Sequence, residues 1–172
     1  MVVFPVQQDG KLYGWQGRVV YDHHWIDEKG ERQEGIKSPT MRGLKADQTL
    51  MFVDRLRDVD HAVVGEGPTD ALKAHLCGGN VATMGKGVSR YQINLLRNAG
   101  KKRIYLGLDP DAAEDTARCV RELAPDVEVY VFPDLPTPPG GGKADLGALS
   151  METVYDLFRR SVRVNGTRLF VF

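Results

Sequence analysis

Three groups of carboxylates follow one another along the chain, the first two where an apolar run stops: Glu66 and Asp70 in Gly65-Glu66-Gly67-Pro68-Thr69-Asp70, then Asp109-Pro110-Asp111, then Asp145 in Lys143-Ala144-Asp145. Gathered carboxylates repel one another unless a divalent cation neutralises them, and a cation so held can grip phosphate. Side chains alternate along extended backbone, so Asp109 and Asp111, two apart, point the same way and can share one ion or flank a pair. Glu66 on a neighbouring strand would complete an all-oxygen donor set, which suits Mg²⁺ or Mn²⁺. Taken singly, each group has a plainer explanation. Asp111 stands just ahead of a helix starting at Ala112, and Asp70 lies at the start of a helix near Thr69, positions where carboxylates cap a helix or complement its dipole. Their occurrence together, in order and after hydrophobic strands, favours the metal site.

The elements that must position these groups read as an alternating pattern. His61-Ala62-Val63-Val64 and Ile104-Tyr105-Leu106-Gly107-Leu108 are buried strands, with further strands at Val81–Met84 and Val127–Phe132. Helices are expected over Arg90–Asn98, closed by Gly100, and over Ala112–Leu123, whose Ala113, Thr116, Ala117, Val120 and Leu123 share one face. Strand and helix in alternation imply a parallel or mostly parallel sheet of four strands covered by helices, with the acidic loops at the C-terminal strand ends where open α/β sheets place their sites. The stretch Pro133–Gly142, with four prolines and three glycines, is a loop that delivers Lys143 and Asp145 to the sheet edge. Ser150 caps a helix running to Arg160, and Asn165-Gly166 turns a hairpin between Val162–Val164 and Thr167–Phe172. Ahead of the sheet, residues 2–6, 12–21 and 32–37 form an antiparallel meander with turns at Asp9-Gly10 and Lys29-Gly30. The fold class is therefore α/β, divided into a small basic antiparallel lobe with a connecting helix (1–58), the sheet domain (59–150) and a C-terminal helix and hairpin (151–172).

Composition narrows the function. Lys and Arg number 23 and Asp and Glu 23, a formal net charge of zero, so a nucleic-acid site must come from local segregation of charge. Only Cys77 and Cys119 occur, with no CxxC and no His pair at ligand spacing, so no zinc is expected in this chain, and a reducing cytoplasm fits. No apolar run reaches the roughly 18 residues of a membrane span, and no signal sequence is evident.

From about Asp60 to Ser150 the acidic residues and their contexts resemble the Toprim domain, the metal-binding fold of bacterial-type primases, topoisomerases and some nucleases. The resemblance implies a Toprim-like sheet. It matches Glu66 to the family's glutamate, Asp70 to the aspartate that follows, Asp109 and Asp111 to the DxD pair, and Asp145 to a third acidic element, here with Ala144 between it and Lys143. The N-terminal stretch Phe4-Pro5, Asp9-Gly10, Gly14, Gly17-Arg18, Lys37-Ser38-Pro39 is similar to the segment preceding Toprim in bacterial and phage primases, with Lys37 directly before Ser38 where the family has Asn. By that match Arg18 and Lys37 contact template or nucleotide phosphates, although each alone reads as a solvated strand residue. Lys86, between Gly85 and Gly87, is a further phosphate candidate, and the glycines there equally suit a tight turn.

The implied function is that of a Mg²⁺- or Mn²⁺-dependent DNA primase making short RNA primers by two-metal phosphoryl transfer, with Glu66, Asp109 and Asp111 catalytic and Asp70 and Asp145 assisting. Single-stranded DNA template and ribonucleoside triphosphates are the implied partners, joined by a separate zinc-bearing primase subunit and the replicative helicase. A Toprim nuclease, or a non-catalytic DNA-binding replication or repair adaptor, would use the same cleft. The chain is short for a complete primase, which suggests a compact viral form, half of a split enzyme or a shortened piece.

Overall fold

The computed structural model describes residues 1–20, 24–75, 79–85, 87–137 and 146–165. The chain opens with β1 (Val2–Gln8) and β2 (Lys11–Arg18), an antiparallel pair joined through Asp9 (φ 52°) and Gly10 (φ 73°). Two consecutive positive φ angles give the turn whose twist matches that of the strands. The Asp54 carboxylate pins this turn by accepting from Asp9 N at 2.7 Å and Gly10 N at 2.8 Å. Phe4 and Val6 alternate inward and meet Met51, Ala71, Ala82 and Met84, so the hairpin is packed onto the rest of the molecule.

The expected three-stranded meander is split. Among the described residues β3 (His24–Ile26) pairs only with β4 (Arg32–Glu34), a separate hairpin organised by Asp27. Hydrogen bonds from Glu31 N, Gln33 Nε2 and Lys29 N converge on the Asp27 carboxylate and hold its pKa below the ordinary value. The partner along β2 is instead the stretch 37–41, through Val19 N to Lys37 O (3.0 Å), Gly17 N to Pro39 O (2.7 Å) and Met41 N to Trp15 O (2.9 Å). Pro39 has no N–H to donate, which limits this stretch to a broken ladder with one isolated bridge, Gln16 to Thr40.

The main sheet has five strands in the order β6-β5-β7-β8-β9: β5 (His61–Gly65), β6 (Asn80–Ala82), β7 (Arg103–Leu106) and β8 (Glu128–Val131) are parallel, and β9 (Val162–Val164) is antiparallel to β8. The four parallel strands are those read from the sequence. The addition is β9, expected in a hairpin with residues 167–172; those residues lie outside the described ones, and β9 joins the main sheet. At the opposite edge Met51 and Ala82 exchange hydrogen bonds of 2.9 and 3.2 Å.

Among the described residues four α-helices cover the sheet: α1 (Pro68–His75), α2 (Arg90–Asn98), α3 (Ala113–Leu123) and α4 (Met151–Arg160). Within the continuous apolar run of β5, Ala62 and Val64 join Ile93 and Leu96 of α2 and Val120 and Leu123 of α3 in one cluster, while Val63 joins Val154 and Leu157 of α4 on the other face. Each fully buried leucine contributes about 2 kcal/mol by removal from water. Helix α2 spans the residues expected, with Ser89 as N-cap in a reciprocal capping box with Gln92. Helix α3 starts one residue later than expected, after a 3₁₀ turn at Pro110–Ala112. Ser150 caps α4 by accepting from Thr153 N at 3.1 Å.

Candidate metal centre

Glu66 follows β5 directly, and Asp109 and Asp111 lie just past β7, the neighbouring strand. Parallel pairing of β5 with β7 carries both acidic loops to the same end of the sheet. Carboxylate oxygens of Glu66, Asp109 and Asp111 all lie within 4.8 Å of one another. Glu66 is half-buried, Asp109 buried and Asp111 exposed, so the group forms a graded well open to solvent on one side. Asp109 N donates to Glu66 Oε1 at 3.1 Å, fixing the glutamate relative to the second loop.

Asp109 is the N-cap residue of the 3₁₀ turn, but its side chain makes no capping bond. The N-cap of α3 is Ala112, which has no side-chain acceptor. Asp111 stands in the first turn of this 3₁₀ segment, where a carboxylate also complements the helix dipole. Three carboxylates and no nitrogen or sulfur donor make a hard, all-oxygen set that can hold a divalent cation.

Asp70 lies apart from this group. It is buried, with Oδ2 accepting from Gly67 N at 2.8 Å and Oδ1 from Gly147 N at 3.0 Å. It ties the first acidic loop to the segment that returns at Leu146. Gly65 permits this, since a Cβ there would come within 2.8 Å of Asp70 Cβ.

Arg18 stands opposite Ser38 at the end of β2, and Lys37 opposite Val19. Arg18 and Lys37 are both exposed, Arg18 Nη1 donates to Ser38 Oγ at 3.2 Å, and Lys37 O accepts from Val19 N. Lys86 and Asp145 lie outside the described residues.

Two buried glutamines around the site were not singled out from sequence. Gln16 Nε2 donates to Met84 O at 3.4 Å, and Met84 N donates to Glu66 O at 2.9 Å, so the N-terminal hairpin is linked through one residue to the glutamate. Gln92 Nε2 faces Ala46 O and Thr49 O at 2.9 Å and Thr83 O at 3.0 Å, anchoring the loop that follows β6. The Ser89-x-x-Gln92 spacing was the available signal for the second; no local pattern marks the first. Cys119, on the buried face of α3, has its pKa pushed up to about 12, chiefly by loss of hydration, and is an inert thiol.

No family model matches the chain, and no curated protein matches it. Solved structures do. The fold is primase-like: the chain is similar to the zinc-binding and RNA polymerase domains of the Aquifex aeolicus primase, with a TM-score of 0.64 and 21% identity over 94% of this chain and 40% of that one. It is likewise similar to the RNA polymerase domain of Mycobacterium tuberculosis primase DnaG, with a TM-score of 0.64 and 22% identity over 92% of this chain and 54% of that one. A second structure of the mycobacterial domain, in complex with a double-stranded DNA oligomer bearing a 6-nucleotide overhang, gives 0.66 at 22% identity, over 93% and 53% of the two chains. The chain thus spans between 40% and 54% of the length of these relatives. No helix among the described residues is long and apolar enough to cross a membrane.

Proposed function

We propose that this chain is a DNA primase-like nucleotidyltransferase that joins ribonucleotides on single-stranded DNA. The observation that carries the reading is the convergence of Glu66, Asp109 and Asp111 at the C-terminal ends of adjacent parallel strands in a primase-like fold. These three residues would hold Mg²⁺ or Mn²⁺, which when bound supplies charge neutralisation at phosphate and acidification of the primer 3′-hydroxyl.

The chain's own residues set the stage. Asp109 N holds Glu66 in place, and Asp70 braces the loop beneath it through Gly67 N and Gly147 N. Arg18 and Lys37, both exposed on the N-terminal lobe, bind phosphates of template or nucleotide by charge. Lys86 and Asp145 join this assignment on the sequence pattern alone. A separate polypeptide with a zinc module, and a replicative helicase, complete the proposed assembly in a bacterial or phage-infected cytoplasm.

The test is incubation with single-stranded DNA, labelled ribonucleotides and Mg²⁺, read on one gel. New short oligomers are expected from the wild type and not from Asp109→Asn. A shortened template without new oligomers would identify a nuclease instead.

A further inference from the structure

The N-terminal hairpin meets the sheet through apolar side chains, with Phe4 and Val6 of β1 against Met51, Ala82 and Met84. Apolar contact is non-directional and leaves two surfaces free to slide slightly. A polar side chain stands in this interface. Gln16 of β2 is opposite Phe4 in the register of the hairpin, shares its face, and is only 5% exposed. Its Nε2 donates to Met84 O at 3.4 Å, longer than the usual range, and its Oε1 is buried with no hydrogen-bond partner among the described residues. A buried acceptor left unpaired is destabilising, and one long bond between neutral groups returns little. Methionine or leucine would fill the position more favourably, so stability does not account for an amide here.

The residue that this amide touches is the one at which the chain leaves the sheet. Thr83 N donates to Gly65 O at 3.0 Å and Met84 N to Glu66 O at 2.9 Å, which extends the pairing of β6 with β5 up to the first carboxylate. Met84 then adopts a φ of 65°, a left-handed conformation unfavourable for a residue with a side chain, and its carbonyl meets Gln16. Met84 is thus held from both sides, its N–H by the Glu66 carbonyl and its C=O by Gln16. The Glu66 carboxylate in turn accepts from Asp109 N at 3.1 Å. Arg18 lies two positions along β2 from Gln16, on the same side of the strand.

We infer that Gln16 is a positioning residue: through Met84 it fixes the backbone of Glu66, and it sets the strand that carries Arg18 in register with the metal centre. The inference deepens the metal-centre reading above and rests on it. Gln16 touches neither metal nor substrate. An apolar side chain of similar size keeps the packing, releases Met84 from one side and lets Glu66 drift from Asp109 and Asp111. Folding and metal binding then respond in different directions, which a residue serving the core alone does not produce.

The experiment compares wild type, Gln16→Met and Gln16→Leu on the full chain, with Asp109→Asn as the control for the site. The readouts are Tm in EDTA, exchange of the Met84 amide by NMR, and Mn²⁺ affinity by electron paramagnetic resonance. In both Gln16 variants Tm in EDTA should hold or rise by up to about 5 °C. The Met84 amide should exchange about tenfold faster. Mn²⁺ should bind about three- to tenfold more weakly, as when a group behind a metal ligand is lost. Unchanged Mn²⁺ affinity in both variants overturns the positioning role, and an unaltered Met84 amide overturns the route through that residue. A lower Tm in both, in step with weaker Mn²⁺ binding, reduces Gln16 to packing and also overturns the inference. Mn²⁺ binding that is absent from the wild type, or that survives Asp109→Asn, refutes the metal centre itself, and the inference with it.

Discussion

Replacing Asp111 by Asn should make the metal-free protein more stable and the metal-loaded protein no more stable than the metal-free one. The three carboxylates have oxygens within 4.8 Å of one another, and Asp111 is the exposed member. At that separation each like-charge pair repels by about 3.5 kcal/mol at an effective dielectric constant near 20, and by about 0.9 kcal/mol in bulk water. Solvent reaches Asp111, so the lower figure governs, and removing its two repulsions relieves about 1–2 kcal/mol after screening. For a chain of this size about 1 kcal/mol moves Tm by about 2–4 °C, so metal-free Asp111→Asn should melt about 2–8 °C above wild type. Metal at about a hundred times its Kd should add about 2.7 kcal/mol to the wild type, a rise of about 5–10 °C, and little to the variant. Thermal melts with EDTA and with saturating Mg²⁺ or Mn²⁺ read both effects. A variant that melts lower than wild type in EDTA, or that keeps the full metal-induced rise, would refute the assignment of Asp111 to a metal centre.

Arg18→Ala and Lys37→Ala should weaken single-stranded DNA binding alike across template sequences, with the loss shrinking as salt rises and Tm changing little, as fluorescence anisotropy and melting would show. Gln92→Ala removes the two N–H donors that face Thr49 O, Thr83 O and Ala46 O, the last of which still accepts from Thr49 N, and should cost about 2 kcal/mol or more in urea denaturation, beyond the cost of about 1 kcal/mol expected for Ser89→Ala at the same cap. The Cys119 thiol ionises near 9 when unfolded and near 12 when folded, so the unfolded chain loses its proton first and stability should fall as pH rises from about 9 to 12. Cys119→Ala should flatten that alkaline slope in denaturation curves taken at successive pH values.

The strands that carry the site were legible because their signals are local. The apolar run of β5 and the acidic residue after it occupy adjacent positions, and parallel pairing with β7 follows from the alternation of strand and helix. Side chains whose role is set by distant partners were not. Asp70 reads as a helix-start carboxylate, yet one of its oxygens is held by Gly147, 77 positions away. Gln16 reads as a polar strand residue, yet it is buried against Met84, 68 positions on. Strand β9 has three residues, too few to announce through periodicity that they pair with β8 rather than with the residues after Asn165-Gly166. Asp27 closing its own turn is a local effect, and it was missed because Lys29-Gly30 gives the stronger turn signal.

The exchange of hydrogen bonds between Met51 and Ala82 also decides how this molecule can meet others. Edge strands invite extended segments to pair with them, the route of both peptide capture and edge-to-edge aggregation. Strand β6 is three residues long, and the outward N–H and C=O of Ala82 are already taken by Met51. An incoming strand would have to expel Met51, fully buried against Phe4, Val6 and Met84, and expose that cluster to water. Strand addition is thereby closed at this edge, and a partner approaching from that side must be recognised through side chains rather than backbone.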